Sequence, residues 1–145
     1  MEFNSEHNEK TLPQAIQKEW LEFTILIAED DPISYLYLAC LLKDKVKRID
    51  HAINGKEAIE MTLANKYTLI LMDIKMPIID GIEATRRIKQ QFPDMPIIVQ
   101  TADSTAQGKK MALLAECDGY IVKPIKKLDL MEMITSVLLK TVILR

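Results

Sequence analysis

The sequence predicts an α/β domain built as a doubly wound, five-stranded parallel sheet. Short apolar runs rich in β-branched residues alternate five times with longer segments of helical period, and each switch falls near a turn residue. Four of the five apolar runs also end in a polar or charged group, which is how the carboxyl rim of a parallel sheet lines a ligand crevice.

Taken in order, residues 1–22 form a linker or short amphipathic helix, since Leu12, Ile16, Trp20 and Phe23 recur at helical spacing. Residues 23–145 are the domain proper. Its first strand is Thr24 to Ala28, followed by a helix from Pro32 to Lys43, with proline at the first helical position and Asp31 as its N-cap. The second strand, roughly Lys47 to Ala52, runs into the tight turn Asn54-Gly55 and a helix from Lys56 to Asn65. The third strand, Leu69 to Met72, is apolar throughout, as a strand covered on both faces must be. It runs into Asp73, then the Pro- and Gly-punctuated loop Ile74-Lys75-Met76-Pro77 to Asp80-Gly81, and then a helix from Ile82 to Gln91. Pro93 and Pro96 bracket the entry to the fourth strand, Ile97 to Gln100, which precedes a helix from Thr105 to Glu116. The fifth strand is Tyr120 to Val122. The last helix, Lys127 to about Lys140, carries more apolar residues than one buried stripe requires, through to Val142, Ile143 and Leu144. That surplus is either ordinary core or a surface for a partner or neighbouring domain.

A chain of 145 residues is one domain's worth and buries a core without staples. With 48% apolar and 28% charged residues and a formal net charge of −2, nothing draws it to nucleic acid. Cys40 and Cys117 have no CxxC spacing, and His7 and His51 stand alone, so no zinc site is expected. The N-terminus is polar and acidic, and no apolar run is long enough to span a bilayer. A cytoplasmic protein without membrane contact is the expectation.

The site follows from the strand ends. The first strand ends in Glu29-Asp30-Asp31, the third in Asp73, the fourth in Thr101 and the fifth in Lys123-Pro124, whereas the second contributes nothing obvious. Alone, Asp73 reads equally well as a loop cap. Carboxylates gathered within about 4 Å repel by roughly 4 kcal/mol per pair at an effective dielectric of 20, so one is protonated or a cation is present. Magnesium suits two or three acids on a partly exposed rim without histidine. A carboxylate so neutralised can attack a phosphoryl group and form an aspartyl phosphate, whose oxygens then need the metal, a lysine and a hydroxyl around them. Lys123 and Thr101 are that lysine and that hydroxyl.

In Ile25 to Pro32, Leu71 to Gly81, Thr101-Ala102 and Gly119 to Pro124, the chain resembles the response-regulator receiver domains of bacterial two-component signalling, over roughly Phe23 to Leu139. The resemblance implies a flavodoxin-like (βα)5 fold, Asp73 as phosphoacceptor, Asp30 as a direct magnesium ligand and Glu29 as one through water. It further implies a metal ligand in the backbone carbonyl of Lys75, Thr101 as switch hydroxyl, Tyr120 as switch aromatic, Lys123 as phosphate-pairing lysine, and a cis Lys123-Pro124 bond. Asp31 belongs to the helix start.

The implied donor is a histidine kinase or a histidine phosphotransfer domain. The implied output face is the helix from Thr105, the fifth strand and the last helix, which would also carry a homodimer contact or intramolecular docking. The wording around Asp73 and Gly81 to Ile88 looks most like receivers of hybrid sensor histidine kinases, with a stand-alone regulator as the alternative. A phosphatase of the haloacid dehalogenase type is the remote alternative, but its nucleophile has a second Asp two residues on, where this chain has Lys75. A degenerate receiver used only for binding would lack one of the acceptor, acid, hydroxyl and lysine set, and none is missing. Beyond self-catalysed phosphorylation and dephosphorylation, no multiple-turnover activity is expected. Lys75 and Asp103 are also expected to flank the water path to Asp73 and to shield it as a pair.

Overall fold

The computed structural model describes residues 14–143, with side chains from residue 17 to residue 140. Leu12 and the side chains of Ile16, Val142, Ile143 and Leu144 lie outside that range. The elements are α1 (Gln14–Trp20), β1 (Thr24–Ala28), α2 (Pro32–Leu42), β2 (Arg48–Ala52), α3 (Gly55–Ala64), β3 (Leu69–Asp73), α4 (Gly81–Gln91), β4 (Ile97–Thr101), α5 (Ala106–Leu114), β5 (Gly119–Val122) and α6 (Lys127–Ile143). The five strands form one parallel sheet in the order β2-β1-β3-β4-β5. This is the doubly wound, flavodoxin-like order expected, with its topological switch between β1 and β3.

Strand side chains alternate between two cores, and every residue of β3 and β4 is buried. Ile25, Ile27, Leu71 and Ile98 pack against Leu38 and Leu42 of α2 and Leu130, Ile134 and Val137 of α6. Leu26, Met72 and Val99 pack on the other face against Ala58 of α3, Ala84 and Ile88 of α4 and Ala112 of α5. The apolar surplus of α6 is largely core, although Leu128 and Leu139 remain exposed. Trp20 at the end of α1 is buried in the first core and tilts against Phe23 with ring centroids 5.6 Å apart.

Local chemistry sets the helix starts that face the rim. Asp31 caps α2, accepting from Ser34 N at 3.2 Å, and Pro32 opens the helix. Asn54 caps α3 through Glu57 N at 2.7 Å, and Asp80 caps α4 through Glu83 N at 2.8 Å. The loop after Asp73 folds back on its own strand: Gly81 N donates to Ile74 O at 2.8 Å, and a Cβ on Gly81 would lie 1.8 Å from the Asp73 carbonyl oxygen. Only glycine fits there, because the backbone of α4 lies against the residue that ends β3. In the same loop Ile78 holds φ at 71°, a left-handed conformation costly for a β-branched residue and a mark of a constrained loop.

Candidate functional site

Parallel register converts the sequence into a row of side chains. Ala28 pairs Met72, Met72 pairs Val99 and Asp73 pairs Gln100, so one further step sets Glu29 beside Asp73 at the carboxyl rim. Glu29 and Asp73 are both buried, whereas Asp30 is exposed, and one carboxylate oxygen from each lies within 4.8 Å of the others. Lys123 reaches across from the far side of β4. Its Nζ donates to Glu29 Oε1 at 2.7 Å and stands 3.4 Å from Asp73 Oδ1. The Lys123-Pro124 bond is cis, as the resemblance implied.

The electrostatics follow from that packing. Burial, then a hydrogen bond and the negative charge of Glu29, raise the Asp73 carboxyl to about 7, against the pull of Lys123. Burial opposes the charge on Lys123, but its bond to Glu29 and the charge of Asp73 prevail and hold the ammonium above its usual range. One lysine therefore serves two crowded acids while a third sits at the mouth. A hard divalent cation relieves such a set through oxygen ligands alone, and Glu29, Asp30 and Asp73 fit it.

Thr101 and Tyr120 stand apart from this cluster. Thr101 is buried at the end of β4, where its Oγ1 accepts from Asp103 N at 3.0 Å. Tyr120 Oη donates to Asp103 O at 2.6 Å. Both side chains thus grip the backbone of one residue in the loop between β4 and α5. Lys75 is exposed in the loop after β3.

The expected Lys75–Asp103 pair does not form. No ion pair joins them among the described residues; Asp103 Oδ1 instead accepts from Thr105 N at 2.8 Å. The bonds from Thr105 hold Asp103 below the usual carboxylate range, and the charge of Lys75 is the smallest contribution.

Two contributors escaped the reading of the sequence. His51, on the strand that was assigned no role, donates from Nε2 to the Glu29 carbonyl at 2.8 Å and stacks on Tyr35 with centroids 3.6 Å apart. Its position in a polar strand, Arg48 to Ala52, gave no signal of this. Gln100 is buried beside Asp73, and neither amide atom of its side chain has a partner. A polar residue closing an apolar run was the available signal, masked by Thr101 after it. A cleft of about 630 Å3 lies elsewhere: Trp20, Phe23, Tyr67, Phe92 and Leu138 line it at the amino ends of the strands.

Comparison with known proteins bears on the whole of this arrangement. The family model described as response regulator receiver domain matches residues 25–135. The chain is 39% identical over 114 residues to the chemotaxis protein CheY of Halobacterium salinarum, covering 79% of this chain and 95% of that protein. It is 32% identical over 123 residues to the signal transduction histidine-protein kinase BarA of Escherichia coli K12, covering 83% of this chain but only 13% of BarA. Among solved structures, the receiver domain of the sensor histidine kinase PA1611 from Pseudomonas aeruginosa, with a magnesium ion coordinated in its active-site cleft, superposes with a TM-score of 0.74. That match has 27% identity and covers 81% of this chain and 98% of that one.

Proposed function

The chain belongs to the response regulator receiver domain family of two-component signalling, and from that premise we propose that Asp73 accepts a phosphoryl group from a phosphohistidine. The observation that carries this reading is the convergence of Glu29, Asp30, Asp73 and Lys123 on one rim, with a buried acid beside an ammonium. An Asp73 oxygen attacks phosphorus, a P–O bond forms as the P–N bond breaks, and the histidine nitrogen leaves with the electron pair. Glu29, Asp30 and Asp73, with the Lys75 carbonyl, would hold magnesium, which when bound supplies positive charge to the crowded acids and to the phosphoryl oxygens.

Lys123 is the protein's own cation for those oxygens. Its ammonium gives up the weaker contact to Asp73 as the carboxylate becomes an acyl phosphate. Thr101 supplies a hydroxyl once it leaves Asp103 N, and Tyr120 holds the same loop from β5. The switch then travels through this loop to α5, β5 and α6.

The donor is a protein, a histidine kinase or a histidine phosphotransfer domain, and this rests on apolar surface at the rim. Ile33, Leu36 and Tyr37 on α2, with Ile78 in the loop after Asp73, are exposed around the acids. No helix among the described residues is long and apolar enough to cross a membrane. Relatives include both CheY, which the chain nearly spans, and BarA, of which it spans about an eighth. We favour the hybrid-kinase setting on the wording around Asp73.

Incubation with acetyl phosphate and magnesium tests the function. Lasting, stoichiometric uptake that is lost in Asp73→Ala is expected. Rapid multiple turnover would indicate a phosphatase instead, and no uptake would leave a binding module.

A further inference from the structure

Gln100 is the anomaly of the site. It is 1% exposed, and both Nε2 and Oε1 of its side chain lack a hydrogen-bond partner. An unpaired buried amide is costly, and an apolar residue of the same size would avoid that cost. The register says where this amide lies. Gln100 pairs with Asp73 on β3 and with Ile121 on β5, and parallel partners present their side chains on the same face about 4.8 Å apart. Leu71, Ile98 and Ile121 on that face all pack into the core beneath α2 and α6, so an amide set among them is out of keeping with its neighbours. The Lys123 side chain leaves the β5 end and must cross the end of β4, above Gln100, to reach Asp73 and Glu29.

Gln100 thus lies beside the acceptor carboxylate, below the lysine, with two free N–H donors. While Asp73 is engaged by Glu29 and Lys123, the amide has no bond to make. Once Asp73 carries a phosphoryl group and Lys123 moves to its oxygens, the carboxyl oxygen that does not bear phosphorus needs a donor. Gln100 is the neighbour able to supply one by a side-chain rotation.

Resting on the phosphoacceptor reading above, we propose that Gln100 donates a hydrogen bond to the Asp73 carboxyl group and stabilises that carboxylate as it leaves phosphorus, so that it sets the lifetime of the phosphorylated state. In hydrolysis a water oxygen attacks phosphorus, the P–O bond to Asp73 breaks, and the electron pair returns to the carboxylate. The water proton passes to solvent and inorganic phosphate departs. Negative charge grows on Asp73 as that bond breaks, so a donor to it speeds the loss of phosphate.

The test compares the wild type with Gln100→Met and Gln100→Leu, phosphorylated with acetyl phosphate and magnesium, desalted, and followed by the decay of the 80 Da adduct in intact mass spectra. Loss of one hydrogen bond to a charged group corresponds to decay slowed about tenfold in both variants. Urea unfolding should show variants at least as stable as the wild type. Equal or faster decay in folded variants would overturn the proposal and leave Gln100 as a water-satisfied core amide. A second measurement needs no variant: on phosphorylation, the Gln100 side-chain amide protons of the wild type should shift downfield and resist exchange with solvent. Unchanged resonances would overturn the proposal. Absence of any adduct on the wild type is a failure of the phosphoacceptor reading, whereas adduct with equal decay is a failure of this inference alone.

Discussion

At the scale of residues, the site is a crowd of acids held together against their own repulsion. Asp73 is raised to about 7 by burial first and by Glu29 second, and its ordinary value in an unfolded chain is 3.8. Between those values the folded, metal-free chain keeps a proton on Asp73 that the unfolded chain has lost. Stability from this group is therefore full below about pH 4 and drains away as pH rises towards 7. Asparagine at this position does not titrate. We expect metal-free Asp73→Asn to match the wild type near pH 4 and to exceed it by on the order of 2 kcal/mol at pH 8, allowing for the coupling of the acids. Urea titrations with chelator at both pH values check this, and a stability difference independent of pH would contradict it. Glu29, Asp30, Asp73, Thr101 and Lys123 were all legible as chemical types at strand ends. The orphaned amide of Gln100 and the bond from His51 to Glu29 were not, because both depend on which residues the register places side by side.

At the scale of elements, the rim is positioned by what holds the strand starts and loops at the opposite end. Lys89 on α4 is buried, and its Nζ donates to Asp118 Oδ2 at 2.6 Å and to Pro93 O at 3.2 Å. The same Asp118 oxygen accepts from Ile97 N at 2.8 Å, so one carboxylate ties α4, the start of β4 and the approach to β5. Removing the acid leaves a buried ammonium unpaired, whereas removing the ammonium leaves a partly exposed acid that water can reach. Asp118→Ala should therefore cost about 3 kcal/mol or more, and Lys89→Met distinctly less. Urea midpoints of the two variants decide it, with equal losses contradicting the asymmetry. The start of α2 was legible because Asp31 precedes Pro32 at a turn, whereas α3 and α4 begin one residue before the expected bounds, since Asn54 and Asp80 cap them and draw Gly55 and Gly81 into the first turn. Strand ends extended one residue past the expected bounds at Asp73 and Thr101, since polar residues continue the ladder when their neighbours pair. The failure of Lys75 to meet Asp103 was not legible, because it depends on how the loops after β3 and β4 place two side chains that sequence spacing alone puts near one rim.

At the scale of the whole molecule, five strand–helix units read from periodicity fold as one sheet in the order β2-β1-β3-β4-β5, and that order brings the four strand ends to one rim. Trp20 shows the limit of periodicity: it marks an amphipathic segment ahead of β1 but not that its indole enters the core with Leu42, Val46 and Val137. Everything functional rests on Asp73 being the residue that receives phosphate. The most direct measurement is reductive trapping: the phosphorylated chain is treated with borohydride, which converts an aspartyl phosphate to homoserine, and the peptides are mapped by mass spectrometry. The account predicts homoserine at position 73 and no conversion at Glu29 or Asp30. Conversion at another acid, or undiminished labelling of Asp73→Asn, would contradict it.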